Sequence, residues 1–500
     1  MTAIIHYFTL HDEQRKQEKL DWFQATKLSD INFQRIHPDG KGNWINQTNN
    51  DFESLVPMVD KEVKAGTTNN ALFKLFTNSI KTNRDEWVYD FDKMTLSNKI
   101  KYFIEKYNLQ LESHKKSDDE LDYTIKWSST LKENLYKSRK VVFDKIKIVS
   151  SLFHPFVKQY FYSEKTLCDR LTDNHLQIFG FDLRKSNLII NFLHGNRLEF
   201  SLLASSIPTN YALFSLDPIQ NLPLYRYDKD GNRLDNITDW GLQQFRERYK
   251  ELPPPAPPKI GGESCKNPLL DEEGVAGGQS ITKSDIFHYV YAVLHNPAYR
   301  QKYELNLKRD FPRIPFYDDF HQWAAWGKAL MDLHLNYETV EPYPLKRLET
   351  ALSPVGAVHE LPLEYASKAG KGQQTLPINF VKENQTAYAK VPKAKLKADK
   401  EAGRIILDEP TTLAGVPSIA WEYRLGNRSA LEWVLDRYKE KTPSDPTIRE
   451  KFNTYCFADY KEQVIELLMR VCTVSVKTME IIGEMSGGNG EDNDCGGSHG

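Results

Sequence analysis

The segment that says most about the fold is Thr282-Lys283-Ser284-Asp285-Ile286-Phe287-His288-Tyr289-Val290-Tyr291-Ala292-Val293-Leu294-His295-Asn296-Pro297. Its apolar residues recur at helical spacing and form a wide stripe. Thr282, with Asp285 three positions further on, is typical of a helix N-terminus, and Asn296-Pro297 is typical of a helix end. The segment therefore predicts a helix that buries a broad face.

Outward from this helix, helical and extended patterns alternate. Helical or amphipathic spacing is found at 12–24, 72–80, 96–107, 319–337, 429–439 and 460–484. Strand-like patterns are found at 4–10, 152–162, 378–381, 387–391 and 404–407. Residues 223–234 predict a β-hairpin because Asp230-Gly231-Asn232 is a tight-turn signal. The combination predicts a mixed α/β (α+β) fold with several lobes, built from helices and short β-hairpins.

Length and composition limit the class of protein. At roughly 150 residues per domain, a chain of 500 residues suggests about three units. The chain is 40% hydrophobic and 12% aromatic, which excludes a wholly disordered protein. No run approaches the roughly 18 to 20 apolar residues of a membrane-spanning helix, so no membrane association is expected. Residues 1–10 lack the pattern of a secretory signal.

The cysteines indicate a reducing cellular compartment and do not form a recognisable disulfide or metal-binding pattern. They are odd in number, scattered, and without a C-x-x-C pair: Cys168, Cys265, Cys456, Cys472 and Cys495. Neither a disulfide framework nor a zinc ribbon is supported. We therefore expect a reducing cytoplasm.

The charge is balanced overall but uneven along the chain. A net charge of −2, from 66 Lys and Arg against 68 Asp and Glu, excludes a globally basic nucleic-acid binder. Local basic stretches occur at 126–147, 299–313 and 390–404. Each could contact phosphates, but a charge run is also typical of a solvated helix face or a lysine-rich loop that serves solubility.

Several catalytic motifs are missing from the sequence. It contains no G-x-G-x-x-G, no Walker-type loop, and no H-E-x-x-H or G-x-S-x-G. Enzymes that methylate the amino group of a flipped base use an [NDS]-P-P-[YF] tetrapeptide, whereas Pro253-Pro254 here lies between Leu252 and Pro255. These absences favour a binding or specificity module.

Three blocks of sequence resemble a known family. They are Thr82 to Phe91, Ser151 to Tyr162, and Asp285 to His295 continuing through Tyr299-Arg300 to Phe311–Phe316. In this order they resemble the C-terminal part of Type ISP restriction–modification enzymes. The resemblance implies sequence-specific recognition of double-stranded DNA, with no catalysis by this chain alone.

The resemblance also implies a division of the chain and a division of labour. Residues 1–145 are expected to be a methylase remnant and connector. Residues 146–485 are expected to be the specificity domain, with a Pro/Gly-rich insertion at 252–280, and 486–500 a disordered tail. Complete members of the family carry nuclease, ATPase and methylase parts that use AdoMet, ATP and Mg²⁺. None of these cofactors is expected on this chain, and a partner chain is expected to supply those parts.

The candidate site residues follow from the basic stretches and from the resemblance. The expected DNA contacts are Lys126, Arg139, Lys140, Lys158, Arg300, Lys308, Arg309, Arg313, Lys393, Lys395, Lys397, Arg424 and Arg428. Asn83, Arg84 and Trp87 are expected to brace the junction between methylase and specificity parts. No catalytic residue and no metal ligand is predicted, since histidines such as His288 and His321 lie within aromatic helices.

Two other interpretations remain open at this point. The chain could be a stand-alone adenine methyltransferase whose motifs have diverged. It could also be a truncated product with no independent role, in which case a missing neighbour would leave apolar surface uncovered.

Overall fold

The computed structural model describes residues 4–11, 14–38, 42–44, 48, 50–113, 117–193, 195, 199–249, 280–350 and 393–487. The α-helices in these ranges are α1 Lys16–Ala25, α2 Lys61–Ala65, α3 Asp85–Val88, α4 Lys93–Glu112, α5 Ser129–Tyr136, α6 Asp173–Phe179, α7 Asp239–Arg248, α8 Lys283–His295, α9 Pro297–Lys302, α10 Glu304–Leu307, α11 Phe320–Leu335, α12 Ile419–Glu422, α13 Ala430–Arg437, α14 Pro446–Lys451 and α15 Lys461–Gly487.

The strands in these ranges are short. They are β1 Ile5–Tyr7, β2 Gln34–Ile36, β3 Val56–Pro57, β4 Thr77–Asn78, β5 Tyr89–Asp90, β6 Ile148–His154, β7 Val157–Tyr162, β8 Ile189–Leu193, β9 Leu202–Ser205, β10 Ile219–Pro223, β11 Tyr225–Tyr227, β12 Arg233–Asp235, β13 Arg313–Ile314, β14 Lys346–Glu349, β15 Lys397–Asp399, β16 Arg404–Ile406, β17 Thr411–Ala414, β18 Arg424–Leu425 and β19 Arg428–Ser429. The mixed α/β prediction is confirmed. The predicted strands at 378–381 and 387–391, residues 252–279 of the predicted insertion at 252–280, and residues 488–500 of the predicted tail at 486–500 lie outside the described residues.

The chain divides into two compact units. The first comprises 1–76, 192–202 and 235–328, and the second comprises 77–191, 203–234 and 329–500. No helix in the part of the chain that the structure describes is long and apolar enough to cross a bilayer. The division predicted from the sequence, at residue 145, is not tested by these units and stays a prediction.

The first unit is built around α8. The helix is buried at Ile286, at Phe287 and at every position from Tyr289 to His295, so it lies inside the unit rather than on its surface. Thr282 and Asp285 form the predicted capping box. Phe245 meets Tyr289 with ring centroids 5.3 Å apart, which adds an edge-to-face contact to the core.

Gly327 on α11 allows the two helices to pack closely. A Cβ atom added at this position would overlap the backbone carbonyl of His288 on α8. Backbone cannot move aside as a flexible side chain can, so only glycine fits here. The sequence pattern predicted both helices, but it did not predict this contact.

The second unit contains a three-stranded antiparallel sheet in the order β5-β7-β6. The sequence predicted one strand over 152–162, and that prediction is wrong. The chain instead turns between β6 and β7, with Phe156 in the left-handed region at φ 59°. Phe156 is buried and packs against Tyr337 with ring centroids 5.1 Å apart. Burial of this aromatic ring compensates for the strained turn.

Two elements near the C-terminus complete the second unit. Strands β14, β17, β16 and β15 form a four-stranded antiparallel sheet in that order. Helix α15 buries Val464, Leu468, Val471 and other apolar residues. The His334 Nε2 atom forms a hydrogen bond with the Thr478 hydroxyl of this helix at 3.0 Å. Burial of His334 lowers the pKa of its imidazole to about 3.

The close approach at Gly327 gives a stability prediction. Gly327→Ala will lower the free energy of unfolding by about 3 kcal/mol, because the added methyl group overlaps backbone and α8 must move. Gly483→Ala on α15, where a Cβ atom meets nothing within 4 Å, is the matched control and will be neutral or stabilising by up to about 1 kcal/mol. Urea denaturation measures both, and equal stabilities for the two variants would contradict the packing described.

Candidate nucleic-acid interface

A large cleft lies wholly in the second unit. Its volume is about 600 Å³ and its walls come from residues 81–87, Lys126, residues 210–212 with Leu216, and residues 444–446. We call it the first cleft. Its lining joins parts of the sequence that are more than 350 residues apart.

Glu86 attaches the far wall of the first cleft to α3. Its carboxylate accepts bonds from the backbone N–H groups of Ser444 and Asp445, both at 2.9 Å, and from the Ser444 hydroxyl at 2.8 Å. Burial opposes ionisation of Glu86, but these bonds and the nearby charge of Lys126 outweigh it and hold the pKa of the carboxyl below its ordinary value. The ionised form of Glu86 therefore stabilises this wall.

Trp87 and Asp445 reinforce the same attachment. The Trp87 ring is fully buried, and its indole N–H donates to the Asp445 carboxylate at 2.7 Å. Asp445 also caps α14, because its other carboxylate oxygen accepts from the backbone of Thr447 at 3.0 Å. One carboxylate thus connects α3 to the start of α14.

Arg84 is a buried structural cation. Its guanidinium donates to the carbonyl of Leu167 and to the Ser128 hydroxyl, and lies 3.5 Å from Asp169. Burial lowers the pKa of Arg84. Asn83, at φ 57°, donates to the same Asp169. These partners all belong to the second unit, and a bracing role at a junction with a methylase part stays a prediction.

Cations lie around the first cleft and around a second one. Lys126 is exposed in the first cleft, and the Lys81 ammonium lies 5.3 Å from the Tyr211 ring centroid. The second cleft, of about 360 Å³, shares Asp85, Glu86 and Ser444 with the first and is also lined by Arg437, Lys439 and Lys441.

One carboxylate serves three cations beside the second cleft. Asp436 lies 3.3 Å from Arg428, 2.8 Å from Arg437 and 3.1 Å from Lys441. The three cations lower the pKa of Asp436 against the opposing effect of burial. The local balance is positive, which attracts an anion such as phosphate.

A short hairpin carries Arg424 next to the first cleft. Strands β18 and β19 pair around Gly426, whose φ is 68°. A Cβ atom at Gly426 would come within 2.8 Å of the Phe214 carbonyl. The hairpin therefore lies against the loop that contributes Leu216 to the cleft.

The outer face of the four-stranded sheet carries three cations and one carboxylate, that of Asp399, which lies opposite Arg404. In the antiparallel register Lys346 and Arg404 both lie opposite Ala414, and Lys397 lies two residues from the partner of Arg404. Side chains two residues apart share a face. All three cations are exposed, and none has an ion-pair partner among the described residues. We call these three cations the basic sheet face; Lys393 and Lys395, which are also exposed, precede β15 in the chain.

Like Arg428, four other predicted DNA contacts already form an ion pair with a carboxylate of the protein. Lys140 pairs with Glu112 at 3.1 Å, Lys308 with Glu304 at 2.6 Å, Arg313 with Glu53 at 3.0 Å, and Lys158 with Glu338. Such pairs must be broken or shared before the cation can bind a phosphate.

Three further predicted arginines donate to neighbouring groups. Arg139 donates to the Asn134 side chain at 3.0 Å, Arg300 to the carbonyl of Leu294 at 2.7 Å, and Arg309 to the carbonyl of Leu305 at 3.3 Å. Arg300, Lys308, Arg309 and Arg313 belong to the first unit, whereas both clefts belong to the second. The DNA-binding role of each stays a prediction.

Sequence reasoning missed Lys81, Tyr211, Leu216, Lys346 and Lys441. Lys346 lies far from the basic run at 390–404 in the sequence and joins it only through the pairing of β14 with β17. Lys81 directly precedes the 82–87 segment. Tyr211 and Leu216 reach the first cleft beside the bond from Asn210 to Asp85, and Lys441 lies close to the residues that Glu86 binds. A basic run was a usable signal for Lys393, Lys395 and Lys397, but no local pattern marks the missed residues.

Comparison with known proteins agrees with the sequence blocks. A family model described as the Type ISP C-terminal specificity domain matches residues 71–467. No curated protein matches the chain. A solved structure described as a cryoEM structure of a DrdV–DNA complex is 39% identical with a TM-score of 0.78, and the match covers 96% of this chain and 43% of that one.

Two further solved structures share the fold. A nuclease-deletion mutant of the Type ISP restriction–modification enzyme LlaGI, in complex with a DNA substrate mimic, is 26% identical with a TM-score of 0.71 over 96% of this chain and 39% of that one. The ATP-dependent Type ISP restriction–modification enzyme LlaBIII, bound to DNA, is 24% identical with a TM-score of 0.71 over 97% and 28%. The chain spans less than half the length of each of these three structures.

The attachment at Glu86 gives a pH prediction. Glu86→Gln will lower the free energy of unfolding by about 1 kcal/mol at neutral pH, because the amide cannot accept all the bonds that the partly exposed carboxylate accepts. The pKa of folded Glu86 lies below its ordinary value of 4.5, so the difference between the proteins is full above that pH and vanishes as the pH falls through the folded pKa.

Denaturant melts at a series of pH values measure this difference. Glu450→Gln is the control, since Glu450 is exposed and its closest cation, Lys451, is 3.8 Å away. A Glu86→Gln deficit that stays constant down to acid pH would show that ionised Glu86 does not hold the wall.

Proposed function

Since the chain belongs to the Type ISP family through its C-terminal specificity domain, we propose that it recognises a specific double-stranded DNA sequence. The observation that carries the proposal is the segregation of charge in the second unit. A chain of net charge −2 places exposed cations, which have no ion-pair partner among the described residues, on the basic sheet face, and places further cations beside carboxylates around both clefts. The DNA in the relatives' structures supports the same function.

Each part of this surface suits one component of recognition. Lysines on the basic sheet face act as point charges that hold phosphates and release counterions, which gives affinity without sequence information. Arg424 lies on a narrow hairpin, and an arginine fork can bond O6 and N7 of guanine in the major groove. Arg428 on the same hairpin can do so only after its ion pair with Asp436 is broken or shared. In this proposal the basic sheet face binds phosphates and the hairpin contacts bases.

The remaining activities of a Type ISP enzyme are assigned to other parts of the system. The described residues hold no group of three or more His, Cys, Asp or Glu side chains placed to bind a metal ion. We propose that AdoMet, ATP and Mg²⁺ bind to a partner chain with methylase, ATPase and nuclease parts, and that this chain presents the DNA site to it in the cytoplasm.

Charge-matched variants test the proposal. Lys346→Ala/Lys397→Ala/Arg404→Ala removes three unpaired cations, and Lys140→Ala/Lys158→Ala/Lys308→Ala removes three that carboxylates already neutralise. With a random-sequence duplex pool, the first triple variant will weaken binding and reduce the slope of log K against log salt by up to about 3, at roughly 0.9 per lost phosphate contact. The second will change the slope little.

Fluorescence anisotropy over a range of salt concentrations measures both slopes. Equal losses in the two triple variants would refute the distinction between paired and unpaired cations. A wild-type slope near zero would refute electrostatic DNA binding altogether.

A further inference from the structure

Leu216 is almost fully exposed to solvent, so its apolar side chain contributes almost no burial to the stability of the fold. Its exposed fraction is 92%, the highest among the large apolar residues of the described ranges, followed by Leu28 at 75% and Val142 at 72%. An isolated exposed leucine is common on protein surfaces. Leu216 differs because of how its loop is held and what surrounds it.

The loop that carries Leu216 is firmly anchored. Leu213 and Phe214, immediately before it, are fully buried, and Ile219 after it is buried at the start of β10. The Asp217 backbone N–H donates to the Ser215 hydroxyl at 3.0 Å, which closes a tight turn. At the base of the loop Asn210 donates to Asp85 at 3.1 Å. The leucine therefore projects from a fixed support.

Cations lie close to this apolar tip, and the carboxylates of the same cleft, Asp85, Glu86 and Asp445, accept hydrogen bonds from the protein. Leu216 lines the first cleft together with Lys81, Lys126 and Tyr211. The β18–β19 hairpin, with exposed Arg424, lies against the carbonyl of Phe214, two residues before Leu216. An apolar tip among cations matches one feature of duplex DNA, whose apolar base stack lies between two lines of phosphates.

We propose that Leu216 is a wedge that enters the base stack of bound DNA at one step, while Lys81, Lys126 and Arg424 hold the flanking phosphates. The proposal rests on the proposed DNA binding and adds a named residue that distorts the duplex. Side chains of this type partly unstack and kink DNA when a rigid protein surface presents them. Such a wedge reads the deformability of the contacted step as well as its sequence.

The test measures DNA unwinding by the full chain. Protein is bound to a closed circular plasmid, topoisomerase I relaxes it, and the change in linking number is compared at equal occupancy, which filter binding measures separately. Wild type and Leu216→Met will unwind the plasmid. Leu216→Ala will lose most of the change per bound protein. Val142→Ala, which alters an exposed side chain that lines neither cleft, will match wild type.

The outcomes separate the wedge from DNA binding. Equal unwinding per bound molecule by Leu216→Ala and wild type would overturn the wedge. Binding by wild type without any change in linking number would also overturn it, leave DNA binding intact, and point to a protein surface as the contact of Leu216. Failure of wild type to bind the plasmid at all would overturn both proposals.

Discussion

The attachment of residues 444–445 to Glu86 is the constraint on which the rest of the candidate interface depends. One partly exposed carboxylate accepts three bonds from a segment 358 residues further along the chain, and Trp87 adds a fourth bond through Asp445. Because these bonds fix both walls, the first cleft has a defined shape. The cleft in turn fixes the loop of Leu216 through Asn210 and Asp85.

Whether a cation has a carboxylate partner, and not the net charge of the chain, determines where this protein can attract an anion. The near-zero net charge conceals two kinds of cation: those neutralised by a carboxylate within about 3 Å, and exposed ones with no such partner in the described part of the chain. Only the second kind adds to a long-range attractive field, because a tight pair is close to neutral at a distance. Lys346, Lys397 and Arg404, which are of the second kind, lie together on the sheet made of β14 to β17.

Local patterns in the sequence predicted local structure well. Helix α8 with its capping box, the hairpin around Gly231, and helices α11, α13 and α15 were all found from spacing and turn chemistry. The turn at Phe156 was missed because a phenylalanine at positive φ carries no local signal, and burial against Tyr337 determines it instead. The alternating aromatics on both sides of the turn therefore looked like one continuous strand.

The candidate site was less predictable for a physical reason. Basic runs mark where cations lie in the sequence, but their carboxylate partners come from elsewhere in the chain. Lys158 meets Glu338 at a separation of 180 residues, and Arg313 meets Glu53 at 260. The sequence does not show which carboxylate pairs with which cation. Paired and unpaired cations therefore could not be told apart, and Lys158 and Arg313 were predicted as DNA contacts together with Lys397.

We infer that duplex DNA binds to the second unit through its unpaired cations and the first cleft. Hydrogen–deuterium exchange of the full chain, with and without duplex DNA, tests this inference most directly. We predict slower exchange on DNA binding at residues 81–87, 210–217, 393–406 and 424–429. Protection confined to 297–313, with none at the cleft or the basic sheet face, would contradict the inference.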